Sequence, residues 1–580
     1  MSFFRPVRVI RTLHETPRWV GRLHWLTTAL VGVALLLVIA RSGYGLVTTP
    51  LLRGAVVGFN FLVLAAFAAD VVLGFVTAQS RWQHFKRRWF DVAVLVPIGV
   101  AIAAGGTGIT FVVLRQLVVV GQAFTRSQRF AGFLEEMRLQ PVRLLALSFL
   151  AMIALGTLFL TFPAATRDGS VTGIVDALFT ATSATCVTGL IVRSTPHYWS
   201  GFGQLVILVL FQLGGLGIMT FSASLAVVLG RRLGLGERRT VSDIIGESRN
   251  VDIARILRYI ISIVLTVELV GTLLLFLRFL PDFPRWTDAL WNAAFHSVSG
   301  FCNAGFSLFD DSLARYRVDP AVNLVMVALI LTGGLGFVVV RELFNRTTLR
   351  RGPLFGLRRL SVHARLVLAT SFVLVVTGTV VFFFTEYDRA LASLPTAGKL
   401  LAALFQSVTA RTAGFNTVSF EALHPVTLFL WAMLMFVGAS PGGTGGGIKT
   451  TTFAILLLSV RNRVLGREDI TVGQRVVPRD VIYRATSIVA VAGGLVALAF
   501  ALLLLTERQP FENLLFETFS AFGTVGLSTG LTAELSAAGK VVITALMYVG
   551  RIGPLTLALA MRTRRAQVAI GFPEARVLVG

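Results

Sequence analysis

Four short polar tracts in this chain each end in a glycine followed by Leu or Phe, at Gly189, Gly305, Gly414 and Gly526, with intervals of 116, 109 and 112 residues. The residues leading in are Thr185-Cys186-Val187-Thr188, Cys302-Asn303-Ala304, Arg411-Thr412-Ala413 and Gly523-Thr524-Val525. Glycine frees a backbone to aim its carbonyls to one side. Four such arms around one axis could replace the hydration water of a cation with peptide oxygens, which is chemistry for backbone rather than for nucleophiles or metal-ligating side chains. A single glycine hinge in a packed loop is commonplace, whereas four at near-constant spacing mark a duplicated unit.

Arms of this kind need a frame. With 580 residues, 55% hydrophobic content, 14% charged residues and a mean hydropathy of +0.78, the chain has too little polar surface for water and belongs in a bilayer. From residue 142 onward the apolar pattern predicts paired spans at 143–162 and 200–229, 253–279 and 321–342, 362–384 and 426–460, 482–506 and 538–561. Each pair encloses one tract. The segments entering the tracts, such as 175–183 and 511–521, are too short to cross and suit half-helices. Asp176, Asp288 and Glu512 stand near their starts, so the negative helix ends point at the tracts, where a cation is stabilised. Non-helical backbone at that depth requires a watery or protein-lined interior.

The net charge of +24, from 53 Lys and Arg against 29 Asp and Glu, sits in loops between spans rather than on a nucleic-acid face. Clusters at Arg231, Arg232, Arg238 and Arg239, at Arg350, Arg351, Arg358 and Arg359, and at Arg461, Arg463 and Arg467 follow the positive-inside pattern. Every unit therefore starts and ends in the cytoplasm and exposes its tract from outside, and the N-terminus is expected in the cytoplasm. Cys186 and Cys302 are the only cysteines, both within tracts, which makes a disulfide framework improbable. Seven His and no carboxylate cluster within one span leave enzymatic chemistry little to work with.

Thr524-Val525-Gly526 matches the opening of the potassium-channel filter sequence. Together with Ala181-Thr182-Ser183-Ala184-Thr185-Cys186-Val187-Thr188-Gly189-Leu190, Phe301-Cys302-Asn303-Ala304-Gly305-Phe306-Ser307 and Thr409-Ala410-Arg411-Thr412-Ala413-Gly414-Phe415-Asn416-Thr417, it makes the chain resemble the pore subunit of the Trk/Ktr/HKT superfamily, most like the bacterial Ktr/Trk type. The resemblance implies an all-α polytopic membrane protein built of four span/re-entrant-loop/span repeats (142–240, 241–350, 351–475 and 476–580) around a pseudo-fourfold ion pore. It implies potassium as the transported ion, held in the filter by backbone carbonyls of the tract residues named above, and no organic cofactor in this chain. It also implies a homodimer in the bacterial inner (plasma) membrane, with a cytosolic ring of nucleotide-binding regulatory subunits as partner. Glycine at all four positions goes with potassium preference in that family, and here the first is Gly189; Cys186 departs from the Thr often found there.

A second glycine-rich run, Gly438-Ala439-Ser440-Pro441-Gly442-Gly443-Thr444-Gly445-Gly446-Gly447-Ile448-Lys449-Thr450, interrupts the apolar segment at 426–460. It is not a phosphate-binding loop, because Ile448 separates Gly447 from Lys449 and no strand precedes it. It should break its helix into a loop beneath the tracts. Arg551 lies deep in the last span, too far from Arg562 to reach the interface by snorkelling. The resemblance assigns residues 438–449 the role of an intramembrane gate and Arg551 that of a positive barrier beside it.

Residues 1–141 are additional to that core. They predict about four spans, near 24–40, 56–78, 90–104 and 109–124, with Arg81, Lys86, Arg87 and Arg88 in a cytoplasmic loop. Asp70, Asp91 and Arg115 weakly resemble a voltage-sensor bundle, but one arginine carries little gating charge at about 2.3 kcal/mol per charge per 100 mV, which favours a packing or dimer-contact role. Two transport readings stay open, a gated potassium pore and a proton- or sodium-coupled symporter, for which Glu268 and His296 are the intramembrane candidates. A membrane receptor or scaffold is the alternative of another class, and it leaves the tracts unexplained.

Overall fold

The structure, a computed structural model, describes residues 141–232, 253–344 and 360–554, apart from 422, 468, 473 and 474, and isolated positions between 55 and 69. But for those positions, the expected N-terminal bundle with Asp70, Asp91 and Arg115 lies outside the described residues, as do Arg238, Arg239 and the basic cluster at 350–359. The chain divides into two compact units, residues 1–136 with 162–164 and 169–171, and all the rest. The second unit holds every element named below.

It is almost wholly helical. Among the described residues, four helices are long and apolar enough to cross a bilayer: α1 (Pro141–Leu160), α4 (Ile253–Phe279), α8 (Val362–Thr385) and α12 (Arg479–Thr506). Each is followed by a half-helix of 12 to 17 residues, namely α2 (Ile174–Thr185), α5 (Trp286–Cys302), α9 (Thr396–Thr409) and α13 (Phe511–Gly523). Each half-helix packs along its own preceding span. Only 22% to 33% of each long helix is buried, and their outward residues are large and apolar, with Leu505 83% and Phe384 73% exposed. A surface of that kind faces lipid rather than water.

The second helices are less regular. They are α3 (Gly201–Arg232), α6 (Pro320–Leu335) with α7 (Phe337–Leu343), α10 (Pro425–Phe436) with α11 (Thr450–Val464), and α14 (Ala537–Ile552). The apolar pattern reads 321–342 as one span, but the chain bends by 112° there, at Gly336 (φ +85). The strict all-helical expectation also needs one amendment, a small antiparallel hairpin of β1 (Thr471–Val472) and β2 (Arg475–Val476).

Between helices in lipid, apolar side chains gain little from association, so close approach depends on small residues. Gly156 in α1 touches Ala181 and Leu210, Gly271 in α4 touches Ser297 and Leu329, and Gly378 in α8 touches Ser407 and Leu434; none has room for a Cβ. Ser297 and Ser407 exploit that closeness, donating to Glu268 O and Val375 O at 2.7 Å each. The second helices lean on the next half-helix in turn: α3 on α5, α6 on α9, α10 on α13, and α14 back on α2. That last contact closes the circle. Asp176 at the start of α2 fastens it, 2.8 Å from Lys540 Nζ of α14 and 2.9 Å from Arg193 Nε.

Candidate functional site

The half-helices end where the tracts begin, and each tract has left-handed residues at the same two places. Val187, Asn303, Thr412 and Thr524 adopt positive φ (57°, 59°, 75° and 50°), as do Gly189, Gly305, Gly414 and Gly526 two residues later (91°, 70°, 77° and 91°). A left-handed residue stops a helix and redirects its last carbonyls. For a non-glycine residue that conformation costs about 1–2 kcal/mol, so four such residues in register must be held by their surroundings.

The glycines form a closed ring. A Cβ added to Gly189 would meet Ala304 O and, at 2.8 Å, Gly305 Cα; on Gly305 it would meet Ala413 O and Gly414 Cα, each at 3.1 Å. On Gly414 it would meet Val525 O and, at 3.2 Å, Gly526 Cα; on Gly526 it would meet Thr188 O and, at 3.0 Å, Gly189 Cα. Each arm thus presses on the carbonyl that precedes the next glycine, in chain order, until the fourth returns to the first. Only glycine satisfies both the backbone angle and the space. The hydroxyls of Thr185, Thr188, Thr409 and Thr412 and the Nε of Arg411 are buried here without a protein partner. Such groups are costly to bury dry and mark a polar interior.

Three arms share an anchor that sequence reading missed. Ser183 Oγ accepts from Gly189 N at 3.1 Å and donates to Leu190 O at 2.7 Å; Ser520 Oγ accepts from Gly526 N at 3.2 Å; Ser299 Oγ donates to Phe306 O at 2.8 Å. All three stand six residues ahead of their glycine, a regularity visible in the sequence once the ring is known. The third tract has Val408 there.

Outside the ring lies a cavity of about 350 Å³ lined by the four glycines, with Asp310 and Glu421 in its wall. Two carboxylates in a confined mouth favour cations. On the adjoining outer loop, Tyr316 is pushed up from the ordinary phenol range by burial and by its 2.9 Å hydrogen bond to Asp282.

On the other side of the ring, residues 437–449 separate α10 from α11 as a loop. Its ends pair through Gly438 N to Ile448 O (2.8 Å). Gly446 N donates to Thr524 Oγ1 at 2.9 Å, and a Cβ on Gly445 would run into Thr412, so the loop lies directly against two tracts. Ser440 N and Thr444 N donate to Gly334 O and Gly333 O at 3.0 Å, Thr444 Oγ1 to Phe301 O at 3.2 Å, and Phe337 N to Gly442 O at 3.3 Å. Pro441 O and Gly443 crowd Gly336. Lys449 Nζ folds back on Gly445 O at 2.7 Å, and Gly447 takes a positive φ of 64°. Arg551, 2% exposed, donates to Thr444 O and, at 2.7 Å, to Gly214 O. Gly214, Gly333 and Gly550 press against Thr185 O, Phe301 O and Phe522 O, and the next residue is Gly215, Gly334 and Arg551 respectively. The arginine therefore stands where two other second helices carry a glycine.

The structure brings together all the residues singled out in the tracts and in the second run. Cys186 and Cys302 are buried free thiols. Cys302 Sγ donates to Gln212 Oε1 at 3.2 Å, and Gln212 Nε2 donates to Glu268 Oε2 at 3.0 Å, which places Glu268 behind the second arm rather than on the ring.

This geometry has counterparts. The family described as TrkH, cation transport protein, matches residues 89–568, starting ahead of the pore core expected from 142. The chain belongs to that family. As a member of the TrkH family, it is 39% identical to the Ktr system potassium uptake protein B of Vibrio alginolyticus over 76% of its own length and 94% of the relative's. It is 38% identical to the protein of the same name from Bacillus subtilis, over 76% and 97%. The potassium/sodium uptake protein NtpJ of Enterococcus hirae is 34% identical, over 76% and 98%. The crystal structure of the potassium transporter TrkH from Vibrio parahaemolyticus shares the fold with a TM-score of 0.62 at 20% identity, covering 82% of this chain and 96% of that one. The TrkH-family fold is thus that of a polytopic helical membrane protein.

Proposed function

We propose that this chain is a potassium-selective uptake pore whose ions pass the ring of Gly189, Gly305, Gly414 and Gly526. The observation that carries this reading is the closed ring itself, in which four backbone arms present carbonyls around one axis behind an acidic mouth. The half-helices point their negative ends at the ring, which favours a dehydrated cation over an anion. The relatives' names, potassium uptake proteins, agree with that chemistry.

The loop at 437–449 is the gate, and Arg551 pins it shut. The loop bonds to Thr524 on the inner side of the ring, so an ion leaving the filter meets it first. The frame consists of repeats 142–240, 241–350, 351–475 and 476–580. The basic loops put both ends of each repeat on the cytoplasmic side of a bacterial inner membrane, with the ring open to the outside. A homodimer and a cytosolic nucleotide-binding regulatory ring complete the assembly, and relatives named as parts of a Ktr system accord with separate components.

Growth of a bacterium lacking potassium uptake, on limiting potassium, tests the reading. Rescue by the wild-type chain and none by a normally expressed Gly414→Ser variant is expected; failure of the expressed wild type to rescue counts against it. Glu268 favours a second reading, coupled symport, because it is a carboxyl 5% exposed inside a span beside the second arm. A reversal potential in proteoliposomes that moves with pH or sodium at fixed potassium selects symport; one that follows potassium alone selects the pore.

A further inference from the structure

Beyond the serine anchors, two arms of the fourfold ring share a second kind of prop. Nine residues ahead of the filter glycine stand Thr180, His296, Phe405 and Glu517 in the four repeats. Two residues past it stand Ile191, Ser307, Asn416 and Ser528. In the second and fourth repeats these positions meet. His296 Nε2 lies 2.9 Å from Ser307 Oγ, and Ser528 Oγ donates to Glu517 Oε1. The match extends to the backbone: Phe309 N donates to Ser307 Oγ at 2.9 Å, and Gly530 N to Ser528 Oγ at 3.0 Å.

Each prop is itself fixed. His296 is fully buried, its Nδ1 lies 2.7 Å from Asn292 O, and its ring stacks on Phe309 at 4.5 Å. A carbonyl only accepts, so Nδ1 carries a proton, and Ser307 Oγ sits between Nε2 and Ser312 O, 3.2 Å away on its other side. Glu517 is also fully buried and takes a second donor, Thr532 Oγ1, at 3.0 and 3.1 Å. The other two repeats lack the device. Thr180 spends its hydroxyl on Asp176 O within its own helix, and Asn416 is held from outside, its N donating to Ser312 Oγ at 3.2 Å.

We propose that His296 and Glu517 are positioning residues for ion discrimination, a matched pair that fixes two opposite arms of the filter through Ser307 and Ser528. The inference rests on the filter reading above. The ring order places Gly305 and Gly526 across from each other, so loss of either prop lets the ring relax along one diagonal. Selection between potassium and sodium depends on the spacing and field of the ring carbonyls, and a small relaxation along one axis is felt there before it is felt in total flux.

Bi-ionic reversal potentials of the purified full chain in proteoliposomes, with potassium on one side and sodium on the other, give the readout. Glu517→Ala and Ser528→Ala are each expected to reduce the potassium-to-sodium permeability ratio about tenfold, with the double variant no worse than either single one. Glu517→Gln, which keeps an acceptor for Ser528, restores the ratio to within about twofold of wild type. His296→Ala and Ser307→Ala behave as the second pair. Unchanged ratios in Glu517→Ala and His296→Ala proteins that elute as wild type overturn the proposal, as does a fall in ratio that Glu517→Gln shares in full. Should Glu517→Ala not fold, Ser528→Ala decides by the same criterion. Gly526→Ser separates the two layers: if it leaves both flux and ratio unchanged, the filter reading fails and takes this one with it, whereas a loss of flux or a fall in ratio, with intact ratios in the prop variants, overturns the props alone.

Discussion

The third repeat and the other three solve one problem in different ways. In the first, second and fourth, a fully buried serine six residues ahead of the glycine ties the tract to its half-helix, and an acid opens that helix at Asp176, Asp288 or Glu512. The third has Val408 in place of the serine and Lys399 in its first turn, with Nζ bound to Tyr387 O at 2.8 Å. Its tract is gripped from the outer side instead: Gln406, with its amide oxygen turned toward them, accepts from Thr417 N at 2.9 Å and Val418 N at 3.0 Å, and Asn416 O accepts from Leu313 N at 3.0 Å. The same repeat carries the loop that splits α10 from α11. A duplicated frame can thus keep its ring geometry while one copy gives up its serine tether and carries a long loop between the two parts of its second helix.

If the ring treats the four arms as equals despite that difference, the heaviest damage should be the same in either kind of repeat. Gly414→Ala and Gly526→Ala each force a Cβ onto a positive φ and into a neighbouring carbonyl, Val525 O and Thr188 O respectively. The backbone strain alone is about 1–2 kcal/mol, and the overlap adds to it. Both variants are expected to lower rubidium uptake in proteoliposomes by about a hundredfold. Near-normal uptake by Gly414→Ala beside a dead Gly526→Ala would show that the third arm is not part of the ring.

The next effect is specific to the third repeat. Arg551 holds Thr444 O and Gly214 O, and hydrogen bonds to a charged donor are worth about 1.5–3 kcal/mol each, so their loss changes the balance of loop positions by tenfold or more. Arg551→Ala should raise basal potassium flux about tenfold in the absence of any regulatory subunit. Lys449→Ala should do less, because Lys449 bonds only within the loop. Equal or lower flux in Arg551→Ala, with normal reconstitution, would leave the loop without its pin.

Much of this is legible in the amino-acid sequence. The glycine intervals, the short half-helices and the out-of-place charge of Arg551 all break an apolar background, so each is visible against it. The serine anchors are not, because Ser183, Ser299 and Ser520 sit in polar tracts where one more hydroxyl carries no contrast. The bend at Gly336 is hidden by the opposite cause: 321–340 is apolar but for Asn323 and Thr332, and composition does not register a change of direction. The clue is the shared spacing of Gly333 to Gly336 and Gly550 to Gly553, whose last glycines both take positive φ, 85° and 91°. His296 stands out in the sequence as a relay candidate; its equivalence with Glu517 emerges only when positions are counted back from the glycines.

The smallest effect bears on why the third repeat lacks its serine. In the other three, the residue before the glycine donates to the carbonyl five positions back: Thr188 N to Ser183 O at 2.7 Å, Ala304 N to Ser299 O at 2.8 Å, and Val525 N to Ser520 O at 2.9 Å. In the third, Ala413 N reaches only four back, to Thr409 O at 2.9 Å. The tract is tighter by one residue, so the carbonyl of residue 408 no longer meets it as the serine carbonyls do. Ser520→Ala removes the acceptor of a partly buried Gly526 N–H and should lower the thermal midpoint of the purified protein by a degree or more, since an unsatisfied group costs up to about 1–3 kcal/mol when fully buried. Val408→Ser should not repair the third arm. It places a hydroxyl in a fully buried apolar site out of register with the tract, and the midpoint should fall here too. A rise in the midpoint of Val408→Ser would mean that the third tract can adopt the five-residue turn of its counterparts, and that its different register is a matter of sequence alone rather than of the loop it lies against.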